Sequence, residues 1–331
     1  MMNIRVFILF LVLLFAEKQY VSAQDRLLLA DTLLISGDTI IMLGDSIIIK
    51  ERIKPVYWER GGNFNLSIQQ VSLSNWNAGG VSNMAFNTGL VMFANFKKDK
   101  IIWDTKLTAN FGFNRISDRR FKTRKTNDNF IFITKYGREL SPSWYLSTQV
   151  DTRTQMLAGY RYFRPAGAEE DARNRISDLL APAYLQSSTG LNYRKEYDNK
   201  DKISLIASPF TGRFTVVMDD SLSNAGAFGV IPGEMVRAEA GISFSSTTDI
   251  QIMENVRWRA DMNLFSNFEK LGNFVVNFNS VVSMKVNRYI TTRIETVLIY
   301  DESVFIQQEQ GPPRQAVQLQ NMINFGIGID F

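Results

Sequence analysis

The chain has 331 residues, 45% of them hydrophobic, and its 37 Lys and Arg against 33 Asp and Glu leave a net charge of +4. A balance this small and scattered gives no electrostatic footprint for nucleic acid. There is no Cys and no His, which excludes Ser-His hydrolysis, His-ligated metal centres and acylation of a lipoprotein cysteine.

Residues 1–23 read as a secretory signal peptide. Arg5 supplies the positive n-region, Ile4 to Ala16 the apolar core, and Val21-Ser22-Ala23 the small residues near a cut. The apolar run is too short to cross a bilayer as a helix. Residues 24–56 read as a short β-rich periplasmic extension. They carry the repeat DTLLISG, DTIIMLG, DSIIIK, with Asp31, Asp38 and Asp45 in register at a spacing of seven. Gly-Asp suits a tight turn, and β-branched runs suit short strands. Such an element either plugs a barrel or rests at its mouth. Lys50 to Pro55 is a charged linker.

Residues 57–331 alternate apolar and polar positions, the mark of half-buried strands. Strands are predicted near 63–74, 81–97, 100–115, 128–140, 143–163, 181–196, 202–218, 234–246, 250–267, 273–287, 290–303 and 316–331. The outward set of the second is Met84, Phe86, Thr88, Leu90, Met92, Ala94 and Phe96. Aromatic residues fall near the ends of such sets, as interfacial girdles require. With both termini on the periplasmic side, the connections 97–100, 140–143, 197–202, 246–249 and 287–290 are short turns, whereas 116–127, 164–180, 219–233 and 304–315 are longer outer loops. The last strand places Ile323, Phe325, Ile327 and Ile329 on one face, Gly326 and Gly328 on the other, and ends on Phe331. It is predicted to close onto the strand near Phe64, with the two glycines leaving room in the lumen. The fold class is therefore all-β, an antiparallel transmembrane outer-membrane β-barrel of about twelve strands.

The inward positions carry charge: Asp104 and Lys106; Asp151 and Arg153; Arg237 and Glu239; Arg257, Arg259 and Asp261; Arg293 and Glu295. Opposite signs two positions apart share a strand face, and buried charge persists only when paired. One reading is a lumen knitted shut by ion pairs; the other is a narrow conduit whose Arg and Lys favour anions. The carboxylates Asp151, Asp261 and Glu295 fit ion pairs better than acid–base work. No catalytic residue, metal ligand or cofactor is expected. Thr126 to Asp128 alternates ligand types but lacks the Gly and distal Glu of a calcium loop.

The string Asn75-Trp76-Asn77-Ala78-Gly79-Gly80 resembles the NWxxGG signature of an uncharacterised Bacteroidota outer-membrane β-barrel family, a domain of unknown function. Arg124-Lys125-Thr126-Asn127-Asp128, Arg153-Thr154-Gln155 followed by Gly159-Tyr160, Ala181-Pro182-Ala183-Tyr184, and Ser208-Pro209 with Thr211-Gly212 are similar to further motifs of that family, Asn127 standing where an acidic residue is expected. The resemblance implies an outer-membrane barrel over Tyr57 to Phe331 and no settled activity. Asn75, Trp76, Gly79 and Gly80 form either a turn with an interfacial anchor or a partner-docking patch. The expected function is that of a non-enzymatic integral outer-membrane barrel, a structural or accessory subunit in envelope assembly, secretion or surface organisation. The alternative is a narrow anion-biased diffusion channel. Outer-membrane lipid and other envelope proteins are the candidate partners.

Overall fold

The structure, a computed structural model, describes residues 39–43, 46–50, 57–72, 82–116, 120–165, 167, 170–197, 199, 201–287, 289–306 and 312–330. The signal peptide, the Asn75–Gly80 string and the terminal Phe331 lie outside them. The chain divides into two units, Met1–Pro55 and Val56–Phe331. In the first, β1 (Thr39–Leu43) and β2 (Ser46–Lys50) form an antiparallel hairpin with Thr39 opposite Lys50 and Leu43 opposite Ser46. The isoleucine-rich cores of the second and third repeats are its two arms, as expected of β-branched runs between turn signals.

In the second unit, twelve strands close into a ring. In chain order they are β3 (Trp58–Val71), β4 (Asn83–Lys98), β5 (Ile101–Ile116), β6 (Thr123–Ser141), β7 (Trp144–Thr154), β10 (Ala183–Glu196), β11 (Lys202–Val216), β12 (Val236–Met253), β13 (Val256–Asn267), β14 (Phe274–Lys285), β15 (Ile290–Asp301) and β16 (Gln318–Asp330). Two further strands, β8 (Gly159–Phe163) and β9 (Ala172–Ser177), make a separate hairpin. Each ring strand pairs antiparallel with its neighbours in the chain, and the ring closes where Ile329 sits opposite Phe64, at the predicted seam.

Three expectations are corrected. The segment 143–163 is not one strand. β7 ends at Thr154 because the Asp128 carboxylate accepts hydrogen bonds from the Met156 and Leu157 N–H groups at 3.0 and 2.8 Å, turning the chain into the β8–β9 hairpin. Residues 246–249 are not a turn. β12 runs on to Met253 and pairs Thr247 with Asp261 and Asp249 with Arg259; its Ser-Thr run looked like a turn but Ser243 and Ser245 are buried inside the ring. Gly326 and Gly328 do not leave room. A Cβ at Gly326 would stand 2.2 Å from the Leu66 carbonyl oxygen, and one at Gly328 2.7 Å from Thr291 Oγ1. They are glycines because neighbouring strands approach too closely for a side chain.

On the loop side, Ala181, Val217, Leu222 and Val230 bury one another, with Ala227 and Phe228 packed against them. The short helix α1 (Asp220–Asn224) belongs to this cap. Asp219 caps it by accepting from the Leu222 N–H at 2.9 Å. Hydrogen bonds from the Ser221 hydroxyl and the Leu222 N–H, then the Arg175 guanidinium, pull the Asp219 carboxyl down to about 2. The cap therefore stays charged through the neutral and mildly acid range. Arg175 of β9 bridges Asp219 at 2.7 Å and Asp178 at 2.8 Å, tying the β8–β9 hairpin to this loop.

Candidate functional site

Alternation along the strands sends one side-chain set outward and the other into the lumen. The outward set is apolar and uncovered: Phe64, Ile68, Trp103, Tyr136, Trp144, Leu146, Leu185, Phe214, Phe244 and Ile323 are all exposed. The few polar groups on this face satisfy one another. Trp103 Nε1 donates to Thr134 Oγ1 at 2.7 Å, and Trp258 Nε1 to Ser280 Oγ at 2.9 Å. At the turn side, aromatic rings gather, with Trp58 to Phe96 at 5.0 Å, Trp58 to Trp103 at 6.1 Å and Trp144 to Tyr193 at 5.3 Å between centroids. Such a belt beneath an apolar band is what a membrane interface selects.

The lumen is filled by ion pairs in three tiers. At the turn side, Asp104 Oδ2 receives Arg194 from three strands round the ring and lies 3.7 Å from Lys135 Nζ, which also donates to Ser204 Oγ at 2.9 Å. Arg194 also holds Glu196. Nearby, Asp249 accepts from Arg257 Nε at 2.6 Å and Arg259 Nε at 3.3 Å. At the middle tier, Lys106 Nζ of β5 meets Asp261 Oδ2 of β13 at 2.8 Å. β5 and β13 are directly opposite in the ring, so this contact crosses the whole lumen. Arg153 grips Asp151 bidentately at 2.9 and 3.1 Å, and Arg293 pairs with Glu295 at 2.9 Å. At the loop side, Arg213 reaches Asp301 at 2.7 Å and Glu239 at 3.4 Å, while Arg237 reaches Glu239 at 3.0 Å. Arg213 also lies over the Tyr184 and Phe265 rings at 5.3 and 5.7 Å. Two voids flank the central bridge, of about 30 and about 10 Å³, both lined by Lys106, Thr108, Asp261 and Asn279. That is space for one or two waters.

All of the charged positions singled out in sequence thus face inward, but not all pair as spacing suggests. Asp151 with Arg153, Arg237 with Glu239, and Arg293 with Glu295 meet within a strand. Asp104 and Lys106 part company for Arg194 and Asp261, and Arg257 and Arg259 turn to Asp249. Asp249 and Asp301 are the partners that sequence reasoning missed. The first was hidden in a misplaced turn, and the second is the last residue of its strand.

A second cluster sits under the β8–β9 hairpin. Lys125 Nζ donates to Asp128 Oδ2 at 3.0 Å, Gln155 Oε1 at 2.9 Å and the Leu157 carbonyl at 2.8 Å. Ser177 Oγ donates to the same Gln155 oxygen at 2.7 Å. A Cβ at Gly159 would stand 2.3 Å from Ser177 Oγ and 3.3 Å from Lys125 Nζ. The ammonium of Lys125 occupies the place between these oxygens. The sequence strings RKTND, RTQ and GY converge here as a clamp that fixes the hairpin. Asp128→Ala is expected to cost on the order of 3 kcal/mol of local stability, since it strips a charge-assisted partner from a mostly buried lysine and orphans two N–H groups. The measurable result is faster trypsin cleavage within 155–182 with unchanged heat-modifiable migration of the barrel. Unchanged cleavage would count against the clamp.

An apolar exterior, a belt of aromatic rings and an ion-paired interior on a closed ring of strands decide the class. The molecule is a twelve-stranded outer-membrane β-barrel. Its short turns then belong to the periplasmic side and its loops to the outside. A family described as "Protein of unknown function (DUF3078)" matches residues 68–160, the stretch that holds Lys125, Asp128, Gln155 and Gly159. No curated protein matches the chain. Among solved structures, the chain is similar to the COG4313 outer membrane channel from Pseudomonas putida F1 at 9% identity, over 84% of this chain and 97% of that one, with a TM-score of 0.37. It is similar to the translocator domain of the autotransporter NalP from Neisseria meningitidis at 9% identity, over 85% and 90%, with a TM-score of 0.33. The toluene transporter TodX of Pseudomonas putida matches at 10% identity, over 82% and 88%, with a TM-score of 0.31.

Proposed function

We propose that this protein is a non-enzymatic barrel subunit of the outer membrane of Bacteroidota, exported through a cleaved signal peptide, with a structural or accessory role in envelope assembly, secretion or surface organisation. The observation that carries this reading is the Lys106–Asp261 contact at 2.8 Å between opposite strands. A contact across the diameter, with further ion pairs on either side, favours a lumen closed to solutes over an open conduit. Each inward carboxylate weighed for acid–base work is engaged by its own cation: Asp151 by Arg153, Asp261 by Lys106 and Glu295 by Arg293. That favours structure over catalysis. What remains for such a barrel to offer is its surface. Purification of the tagged chain from detergent-solubilised membranes tests this. An accessory subunit comes out with another envelope protein in fixed ratio. A chain that comes out without any other protein and makes vesicles leaky to small anions contradicts the proposal and favours the diffusion-channel reading.

A further inference from the structure

The ring is closed unevenly. β3 pairs with β4 along its whole length, and β16 pairs with β15 from Gln318 to Ile327. Between β3 and β16, however, pairing covers only Asn63–Leu66 against Ile327–Asp330. Continuing that register would set Gly326 to Met322 opposite Ser67 to Val71, yet the ladder stops. At the point of parting, the Ser67 hydroxyl donates to the Phe325 carbonyl at 3.0 Å, a side chain standing in for backbone pairing. Gln320 Nε2 donates to the Thr126 carbonyl of β6 at 3.3 Å, and Met322 lines the lumen void. The seam is thus zipped towards the periplasm and parted towards the outside.

The apolar residues along the parted edges, Ile323, Phe325 and Ile68, carry no argument by themselves, because lipid tails are as apolar as they are. The backbone does carry one. An edge in the hydrocarbon region needs hydrogen-bond partners, and lipid tails supply none. A β-strand supplies them. Natural edges that stay single are guarded by Lys, Pro or inward charge. The stretches Ser67–Val71 and Gln318–Gly326 contain no charged residue and no Pro.

We propose that the parted seam pairs with the same seam of a second copy of this chain, β3 of each copy joining β16 of the other. This rests on the reading of the barrel as an assembling subunit and adds contact between copies to its contacts with other envelope proteins. Copies in one membrane share an orientation, so β3 of one and β16 of the other run antiparallel. A two-fold axis along the membrane normal satisfies both parted edges of both copies at once. The register already used at the base of the seam then extends upward between copies. Gln69 meets Asn324 of the other copy on the lumen face, amide to amide. On the lipid face Ile68 meets Phe325 and Gln70 meets Ile323. A strand from an unrelated protein would have to match two different edges together, whereas a second copy brings each edge its own complement.

The test uses the full barrel refolded in phosphatidylcholine vesicles. The chain has no cysteine, so introduced ones report alone. Gln70→Cys and Ile323→Cys lie on the lipid face and would stand opposite each other in the extended register, within reach of a disulfide. Mixing the two single variants under mild oxidation is expected to give a disulfide-linked dimer that neither variant gives by itself. Dimers as abundant in one variant alone mark random collision and overturn the proposal. So does a double variant that closes its disulfide within one chain with no dimer from the mixture, which means the seam zips shut in a monomer. No disulfide in any sample overturns it too. Bilayer current on the same material separates the failures: a monomer that does not conduct loses the pairing and keeps the filled lumen.

Discussion

Replacing Asp301 with Ala is expected to lower the unfolding free energy by about 3–5 kcal/mol, the range for breaking one side of a buried ion pair. Asp301 and Arg213 are both nearly fully buried, with side-chain exposures of 5% and 6%, and their contact is 2.7 Å. Arg213 lies between strands and rings, over Tyr184 and Phe265, with Glu239 at 3.4 Å as its other anion. Without Asp301 the guanidinium keeps its desolvation cost and loses its shortest partner. Asp301 also accepts the Ser303 N–H at 3.0 Å, so the turn that leads off β15 loosens as well. The check is a urea titration of the folded barrel in lipid vesicles. The double replacement Arg213→Leu with Asp301→Leu recovers most of the loss, because Glu239 retains Arg237 at 3.0 Å and no charge is left alone. A double variant as unstable as the single one would mean that the pair's value lies in shape rather than charge.

The second large effect concerns the centre of the lumen. Lys106→Ala combined with Asp261→Ala removes the only two side chains that meet across the full diameter at that tier among the described residues. The voids on either side share Lys106 and Asp261 as walls and would merge. The neighbours do not swing in to replace them, since Arg153 is held by Asp151 and Arg293 by Glu295, each on its own strand. The double variant is expected to show a steady ionic current where the native barrel shows none. Asp261→Ala alone behaves differently. It leaves the Lys106 side chain, 31% exposed, without its anion, and costs about 1–3 kcal/mol, less than a fully buried pair because solvent screens the charge. A double variant as tight as the native protein would show that the other tiers seal the lumen without this bridge.

Much of the barrel is legible in sequence because a membrane strand must alternate. Over 84–96 of β4, 103–113 of β5 and 274–284 of β14, apolar residues fill every second position except Thr88, Thr105 and Ser280, and the limits of these strands fall within a few residues of expectation. Where alternation misleads, a local bond or the lumen's own needs are the cause. Met156 and Ala158 continue the pattern of β7 past its end, but the Asp128 carboxylate captures the next two N–H groups and turns the chain. Ser246 to Asp249 resemble a turn because small polar residues favour turns in water. In a barrel they equally suit an interior packed with polar side chains. Charged pairs two residues apart on one strand are visible in sequence. Pairs such as Lys106 with Asp261 are not, because which strands oppose each other depends on how the ring closes. The clamp round Lys125 follows the same rule: its oxygens come from Asp128, Gln155 and Leu157, which meet only when β6 and β7 pair.

Planar-bilayer recording of the native, refolded barrel tests the filled lumen most directly. With Lys106 and Asp261 in contact across the diameter and voids of about 30 and about 10 Å³ beside them, insertion should produce no steady open current at moderate voltage. A persistent current from the native protein, shifted in its ion preference when Arg257 or Arg259 is neutralised, would contradict it.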